Sequence, residues 1–171
     1  QAMSGDDVVD ALTDALGSLP ADNMIVVIRT LGLQGSERAV PALSQAARSG
    51  QAPVRVAAIE SLTEIGDPDA VALLVELTDD DDRTISRAAQ ENLAAFPAEK
   101  ADAAVLRMFR SDDTDKQLTA LELMGRRRMT NSIPALMTAA RQGSPRLRPG
   151  AIRMVGELGD SGELPAMLDL L

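Results

Sequence analysis

Val40-Pro41-Ala42-Leu43 is the first of five similar phrases that recur along this chain. The other four are Val71-Ala72-Leu73-Leu74, Ala103-Ala104-Val105-Leu106, Ile133-Pro134-Ala135-Leu136 and Leu164-Pro165-Ala166-Met167. The last residues of successive phrases lie 31, 32, 30 and 31 positions apart. A fixed period in this range is typical of stacked repeat arrays, in which each unit buries its apolar face against its neighbours. The sequence therefore predicts a repeat protein.

A second recurring element lies between these phrases, and four of its five copies end in glycine. The copies span 24–32, 58–66, 89–97, 117–125 and 151–159. In the four that end in glycine, apolar residues stand one, four and seven places before it, which is the spacing of one helix face. Glycine suits the left-handed residue that closes a helix, and Pro97 ends the third copy instead. Each unit is predicted to be a helix A, a turn, a helix B and a second turn.

This pattern predicts an all-α array with helical-hairpin repeats at residues 20–50, 53–79, 82–111, 114–142 and 145–171. Residues 1–19 are expected to form an N-terminal capping helix, or the B helix of an earlier repeat. Gln1-Ala2-Met3 resembles a cloning remnant, and 167–171 lacks the polar outer face of a terminal repeat. We therefore expect the chain to be one segment of a longer protein.

The stretch from Pro53 to Pro68, PVRVAAIESLTEIGDP, resembles a HEAT repeat of the phycobilin-lyase type. That family pairs a "VRxxAAxxL" helix with an "LGDPxAxxxLxxxL" turn and second helix, and Ala70, Val71, Leu74 and Leu77 continue the pattern. The resemblance covers residues 20–171. It implies a right-handed α–α superhelix in which the B helices line the concave side. Since such repeats serve proteins of many kinds, it implies little about function.

The chain has no histidine and no cysteine. It therefore lacks the side chains of a Cys–His pair, a Ser–His–Asp triad and a zinc site with nitrogen and sulfur ligands. No glycine-rich loop follows a strand, so the usual nucleotide cradles are missing. The carboxylates cluster in turns and on polar helix faces, which favours solvated charge over a catalytic pair. We expect a protein that is not an enzyme and uses no cofactor or metal.

Composition also limits location and partners. No stretch approaches the roughly 20 apolar residues that span a bilayer, and no signal peptide is recognisable. We expect a soluble protein, in the cytoplasm, or in the periplasm if a longer precursor carries a signal peptide. A pI near 4.5, with two Phe and no Trp or Tyr, disfavours nucleic-acid binding. A small-molecule ligand is not expected either.

Two acidic turns precede A helices, at 79–82 and 112–115. The first is four consecutive aspartates, which could form a calcium site or an acidic docking patch. A calcium loop needs oxygen ligands at alternate positions and a glycine for its sharp turn, as in D-x-D-x-D-G, and four consecutive aspartates without a glycine do not match that pattern. Because both turns hold the same place in their repeats, we predict that they cap the helices and complement their dipoles.

Arginines carry the candidate functional surface. Arg126, Arg127 and Arg128 follow Gly125 in an A-to-B turn, where they could form an anion-binding patch or a solvated loop. Arg141, Arg146 and Arg148 follow at the next junction. Residues 1–102 hold 18 acids and 7 bases, a net charge of −11, whereas residues 103–153 hold 4 acids and 10 bases, a net charge of +6. Arg55, Arg87 and Arg148, near the starts of A helices, are predicted to bridge adjacent repeats.

We therefore predict a non-catalytic scaffold that contacts another protein, or a neighbouring domain of the same chain. The contacts would come from the outward faces of the B helices, namely Gln45, Arg48, Glu76, Arg107, Thr138 and Arg141. The alternative is an enzyme or chaperone subunit of the phycobilin-lyase kind, which the resemblance suggests and the missing His, Cys, Tyr and Trp disfavour. A nucleic-acid-binding HEAT-like domain is the third possibility.

Overall fold

The computed structural model describes residues 5–97 and 99–159, which fold into ten α-helices joined by turns. The chain divides into two compact units, Gln1–Ala98 (unit 1) and Glu99–Leu171 (unit 2). The boundary between them falls inside the predicted third repeat, 82–111. The described residues contain no strand, so the prediction of an all-helical chain is confirmed.

Unit 1 contains three A helices and three helices in B positions. The A helices are α2 (Ala21–Gln34), α4 (Ala52–Ile65) and α6 (Arg83–Ala95), and the others are α1 (Gly5–Leu16), α3 (Val40–Arg48) and α5 (Ala70–Leu77). The A helices stack on one another, α2 on α4 and α4 on α6. Each B helix packs on the A helix that follows it, and α1 packs on α2 in the same way. The segment 5–16 thus takes the place of a B helix.

Unit 2 repeats this arrangement. Its A helices are α8 (Thr114–Arg126) and α10 (Arg148–Leu158), and its B helices are α7 (Glu99–Phe109) and α9 (Ile133–Gln142). The two A helices pack together, and α7 packs on α8 as α9 packs on α10. The predicted fifth B phrase, 164–167, and the residues interpreted as a cloning remnant lie outside the described residues.

The acidic turns cap the A helices, as predicted. The Asp82 carboxylate accepts from the backbone N–H of Thr84 at 2.8 Å. The Asp113 carboxylate accepts from the N–H groups of Asp115 and Lys116, at 2.9 and 3.2 Å. These bonds satisfy donors that the first helical turn leaves without a partner.

The glycines that end the A elements do not all close helices. Gly66 does, with φ at 70° and its N–H bonded to the Leu62 carbonyl. Gly32 and Gly125 instead lie within α2 and α8, and the prediction was wrong for them. A Cβ at Gly32 would stand 2.7 Å from Ser61 Cβ, and one at Gly125 would stand 2.8 Å from Met154 Cε. At both sites glycine permits the next A helix to approach closely. Gly159 follows α10 with extended backbone, φ −74°.

The repeat register is a constant 31 residues. The sequence interpretation aligned Leu106 with Leu43, Leu74 and Leu136, which produced the uneven spacings. In the structure Val105 takes that place, because its side chain is fully buried, as are those three leucines, whereas Leu106 is only half-buried. Equivalent residues of all described repeats therefore differ by multiples of 31.

One column of this register ties the A helices α4, α6, α8 and α10 to the preceding B helix or to the turn directly after it. Its members are Arg55, Ser86, Gln117 and Arg148. Arg55, Ser86 and Arg148 donate to the carbonyl oxygen eight residues earlier, and Gln117 donates to the Ser111 carbonyl. The predicted bridging role is thus confirmed for Arg55 and Arg148. It was wrong for Arg87, whose exposed side chain pairs with Glu91 at 3.0 Å on its own helix. Ser86, one residue earlier, holds the equivalent position.

Candidate functional site

In unit 1, the predicted contact residues Arg48 and Glu76 engage each other. The Arg48 guanidinium donates to the Glu76 carboxylate at 3.2 Å, which joins α3 to α5. Gln45, exposed on α3, donates to the Ser49 hydroxyl at 3.2 Å. The Arg48–Glu76 pair is about half exposed, so it adds little stability by itself. Its charges are nevertheless matched within the unit.

A second ion pair and two leucines complete the seam between α3 and α5. Arg55 donates to the Asp80 carboxylate and, at 2.7 Å, to the Ala47 carbonyl. The hydrogen bond from Arg55 holds the pKa of Asp80 below its usual value, although burial acts in the opposite direction. Leu73 and Leu77 of α5 are buried. The seam is therefore closed by side chains of unit 1 itself.

The equivalent place in unit 2 is an open groove between α7 and α9, with a cavity volume of about 480 Å³. The positions of Leu73 and Leu77, two repeats further along, hold Ala135 and Ala139, which are only half-buried. Phe109 and Leu147 contribute further apolar surface to the walls. The groove exists because alanine is too small to fill the space that leucine fills in unit 1.

The polar residues that line the groove are also the equivalents of the two ion pairs. Arg110 and Thr138 stand two repeats after Arg48 and Glu76. Thr138 has no carboxylate to offer, and its hydroxyl donates to the Pro134 carbonyl of its own helix at 3.0 Å. Gln117 and Gln142 stand where Arg55 and Asp80 form the buried pair. No ion pair crosses the groove among the described residues.

Arg110 was missed by the sequence interpretation. It directly follows the last residue of α7, is exposed, and forms no ion pair with another described residue. The signal that could have found it is the register, because Arg110 matches Arg48 and the matching partner, Glu76, has become threonine.

The three consecutive arginines do not form one patch. Arg126 and Arg128 are exposed, but the Arg127 side chain is 9% exposed and donates to the Asp102 carboxylate at 2.6 Å. The interpretation of Arg127 as a surface contact residue was therefore wrong. Its backbone ends α8 with helical angles, which turns the side chain toward α7.

Arg128 has the left-handed backbone conformation, with φ at 51°. This conformation disfavours side chains with a Cβ. We predict that Arg128→Gly stabilises unit 2 by about 0.5–1 kcal/mol, measured by thermal denaturation. The matched control is Arg126→Gly in the last helical position, which should destabilise the unit by a similar amount. A lower melting temperature for Arg128→Gly would contradict the prediction.

The other predicted arginines divide into paired and unpaired side chains. Arg146 donates to Asp115 at 2.9 Å. Arg148 donates to the Ala140 carbonyl at 3.3 Å. Arg107 and Arg141 are exposed and form no ion pair with another described residue. Because Arg141 is the repeat equivalent of Arg110, and Arg107 that of Thr138, both belong to the B-helix face that carries the groove.

The units differ in how their arginines are matched. In unit 1, five of six arginines pair with a described carboxylate, and the sixth, Arg83, is exposed without one. In the described part of unit 2, six exposed arginines have no carboxylate partner: Arg107, Arg110, Arg126, Arg128, Arg141 and Arg148, the last of which donates to the Ala140 carbonyl. Unit 2 thus carries unmatched positive charge.

The described ranges hold neither a metal-binding cluster nor a helix able to span a membrane. Among residues 5–97 and 99–159, no group of three acidic side chains is placed to hold a metal ion. None of the described helices combines the length and apolar character that a membrane-spanning segment needs.

The family model for HEAT repeats matches residues 5–94 and 101–171. The chain belongs to the HEAT repeat family. The structure of the complex of CpcE and CpcF of phycocyanin lyase from Nostoc sp. PCC7120 is similar, with a TM-score of 0.55 and 19% identity over 99% of this chain and 69% of that one. An engineered protein from the Northeast Structural Genomics Consortium gives a TM-score of 0.53 and 19% identity, over 95% of this chain and 85% of that one. These likenesses show the fold alone. A search of curated protein sequences gave no match.

The HEAT register also relates the unit 2 groove to a smaller one in unit 1, between α1 and α3. This second groove has a volume of about 290 Å³. Leu16, Ala42, Gln45 and Ala46 line it, three repeats before Phe109, Ala135, Thr138 and Ala139. Gly17 stands where unit 2 has Arg110. The same repeat position therefore forms an apolar groove in unit 1 and an arginine-bearing groove in unit 2.

Proposed function

We propose that this chain is a non-catalytic scaffold that binds an acidic segment of a partner protein, or of a neighbouring domain, on the B-helix side of unit 2. The observation that carries this proposal is the set of unmatched arginines, above all Arg107, Arg110 and Arg141 on the face that carries the groove. Each of these arginines is the repeat equivalent of Arg48 or Glu76, which form an ion pair in unit 1. An external carboxylate can supply the partner that the unit itself lacks.

The chemistry of arginine supports an acidic partner. A guanidinium group offers a planar fork of donors that fits a carboxylate, and it stays charged at every physiological pH. Interface hot spots are enriched in Trp, Tyr and Arg, and arginine is the only one of these that the chain has. Charge would therefore steer and orient the partner, and affinity should fall as salt rises.

Selection from a peptide display library on the immobilised protein tests this proposal. We expect peptides rich in Asp and Glu to be enriched at low salt and lost at high salt. The variant Arg107→Ser, Arg110→Ser, Arg141→Ser should lose this enrichment. As a matched control, the paired residues Arg29→Ser and Arg48→Ser in unit 1 should leave it intact. Enrichment of neutral or basic peptides, or acidic enrichment that the triple variant retains, would contradict the proposal.

A phycobilin-lyase-like subunit is the second candidate, because the likeness to the phycocyanin lyase complex extends over nearly the whole chain. None of the residues that line the groove is His, Cys, Tyr or Trp, since the chain has none. A titration with a free bilin, followed by its absorbance, tests this candidate. Saturable spectral change that Ala139→Leu removes would favour it over the scaffold. A parallel titration with labelled single-stranded DNA tests the nucleic-acid alternative.

A further inference from the structure

Four pairs of equivalent positions separate the closed seam of unit 1 from the open groove of unit 2. Glu76 becomes Thr138, Asp80 becomes Gln142, and Leu73 and Leu77 become Ala135 and Ala139. The changes remove two carboxylates and two branched apolar side chains from the same B helix. The groove of unit 2 thus lacks the two carboxylates and the two leucine side chains that close the equivalent seam in unit 1.

We infer that the groove between α7 and α9 is a docking subsite for a short acidic peptide segment, in which one carboxylate binds Arg110 and an adjacent aliphatic side chain fills the space above Ala135 and Ala139. This inference rests on the proposed function and specifies which part of unit 2 the partner enters. The peptide replaces, from outside, the Glu and Leu side chains that α5 supplies in unit 1.

The carboxylate position follows from the Arg48–Glu76 pair. In unit 1 a glutamate one B helix away meets the arginine at 3.2 Å. Thr138 occupies the glutamate's place in unit 2, and its hydroxyl is turned to the Pro134 carbonyl. A carboxylate that enters beside Thr138 therefore meets an Arg110 side chain that is in no ion pair with another described residue. Arg107 and Arg141 on the same face add positive potential around the groove.

The apolar walls of the groove are the reason to expect an aliphatic side chain in the bound peptide. Phe109, Ala135, Ala139 and Leu147 all line the groove. Burial of an aliphatic side chain against such walls is favourable, and here it replaces water rather than protein atoms. The groove between α1 and α3 has comparable walls but Gly17 in place of arginine. It should therefore show no preference for carboxylates.

The test uses three fluorescein-labelled peptides and the full chain. One peptide alternates glutamate and leucine, the second has glutamine for every glutamate, and the third has alanine for every leucine. Fluorescence anisotropy at low salt gives their affinities. We expect the glutamate–leucine peptide to bind at least about tenfold more tightly than either of the others, because each of them lacks one of the two contacts.

Two variants close the groove from inside. Thr138→Glu places a carboxylate at the position of Glu76, so that it pairs with Arg110 as Glu76 pairs with Arg48. Ala139→Leu restores the leucine that α5 has at that position. Each should weaken binding of the glutamate–leucine peptide about tenfold or more, whereas Thr138→Gln, similar in size but uncharged, should weaken it much less. Thermal denaturation of each variant shows that it is folded.

The outcomes of these tests distinguish the groove proposal from the scaffold proposal. Loss of binding in Thr138→Glu and Ala139→Leu, with binding retained in Thr138→Gln, supports the groove. Unchanged binding in both closing variants, together with loss in Arg107→Ser, Arg141→Ser, overturns the groove and leaves the scaffold proposal standing. If neither glutamate-containing peptide binds the unaltered protein, the scaffold proposal fails and the groove fails with it.

Discussion

Leu62→Asp should unfold unit 1. Leu62 lies in α4, is fully buried, and belongs to the helix that packs against α2, α3 and α6. Aspartate removes the apolar contacts of leucine and places a charge at a fully buried position. We expect a loss of about 4 kcal/mol or more, which is a large part of the stability of an ordinary domain. Circular dichroism should show reduced helicity at 25 °C, and hydrogen exchange should show loss of protection over α2 to α6.

Leu33→Asp is the matched control for this substitution. Leu33 lies in the neighbouring helix α2, and its side chain is 82% exposed. The same chemical change there should alter stability by only about 0.5 kcal/mol, as is usual for surface positions. A cooperative melting curve for Leu62→Asp close to that of Leu33→Asp would show that the buried interface of α4 does not hold unit 1 together.

The helical repeat could be predicted because it depends on periodicity, which the sequence displays directly. Apolar residues three and four apart mark one face of a helix whatever its neighbours are. The register at α7 could not be assigned from letters alone. Val105 and Leu106 are both apolar, and only packing decides that valine enters the core. One such choice was enough to make a constant period look irregular.

The ends of the A helices show a second limit. A glycine near the end of an A element suits either a helix cap or a close approach between helices, and the residue type alone does not distinguish them. In the 31-residue register Gly66 matches Gly35, the left-handed residue that closes α2, and stands three positions after the place shared by Gly32 and Gly125. Gly66 is a cap, whereas Gly32 and Gly125 face the next A helix. The distinction depends on the bulk of Ser61 and Met154, which lie 29 residues further along. Local sequence patterns do not include contacts at that distance.

The groove could have been anticipated in part. Substitution of Ala135 and Ala139 for Leu73 and Leu77 is visible as soon as the repeats are aligned in the correct register. The direction in which each arginine side chain points was harder to predict from the sequence. Arg126, Arg127 and Arg128 are identical in the sequence, but the backbone turns through a left-handed residue at Arg128. The Arg127 side chain instead lies inward, against Asp102 of α7, between two outward ones.

Arg127→Ala should destabilise unit 2 far more than the same change at either neighbour. The Arg127 side chain is 9% exposed and that of Asp102 is 31% exposed, and their atoms lie 2.6 Å apart. Removal of arginine leaves a partly buried carboxylate without its partner, which we expect to cost about 2 kcal/mol. Arg126→Ala and Arg128→Ala, both at exposed positions, should each change stability by less than about 0.5 kcal/mol. Denaturant titration of the three single variants measures these differences.

A double-mutant cycle with Asp102→Ala assigns the loss to the ion pair. If the pair carries the effect, the double variant should be more stable than the sum of the two single losses predicts, by about 1 kcal/mol. Additive losses would instead point to packing of the arginine stem.

The result also decides how binding by the turn at 126–128 must be tested. A variant that replaces Arg126, Arg127 and Arg128 together would lose stability through Arg127, so reduced partner capture would not show that the turn binds anything. Only Arg126 and Arg128 can be replaced to test the turn as a contact surface.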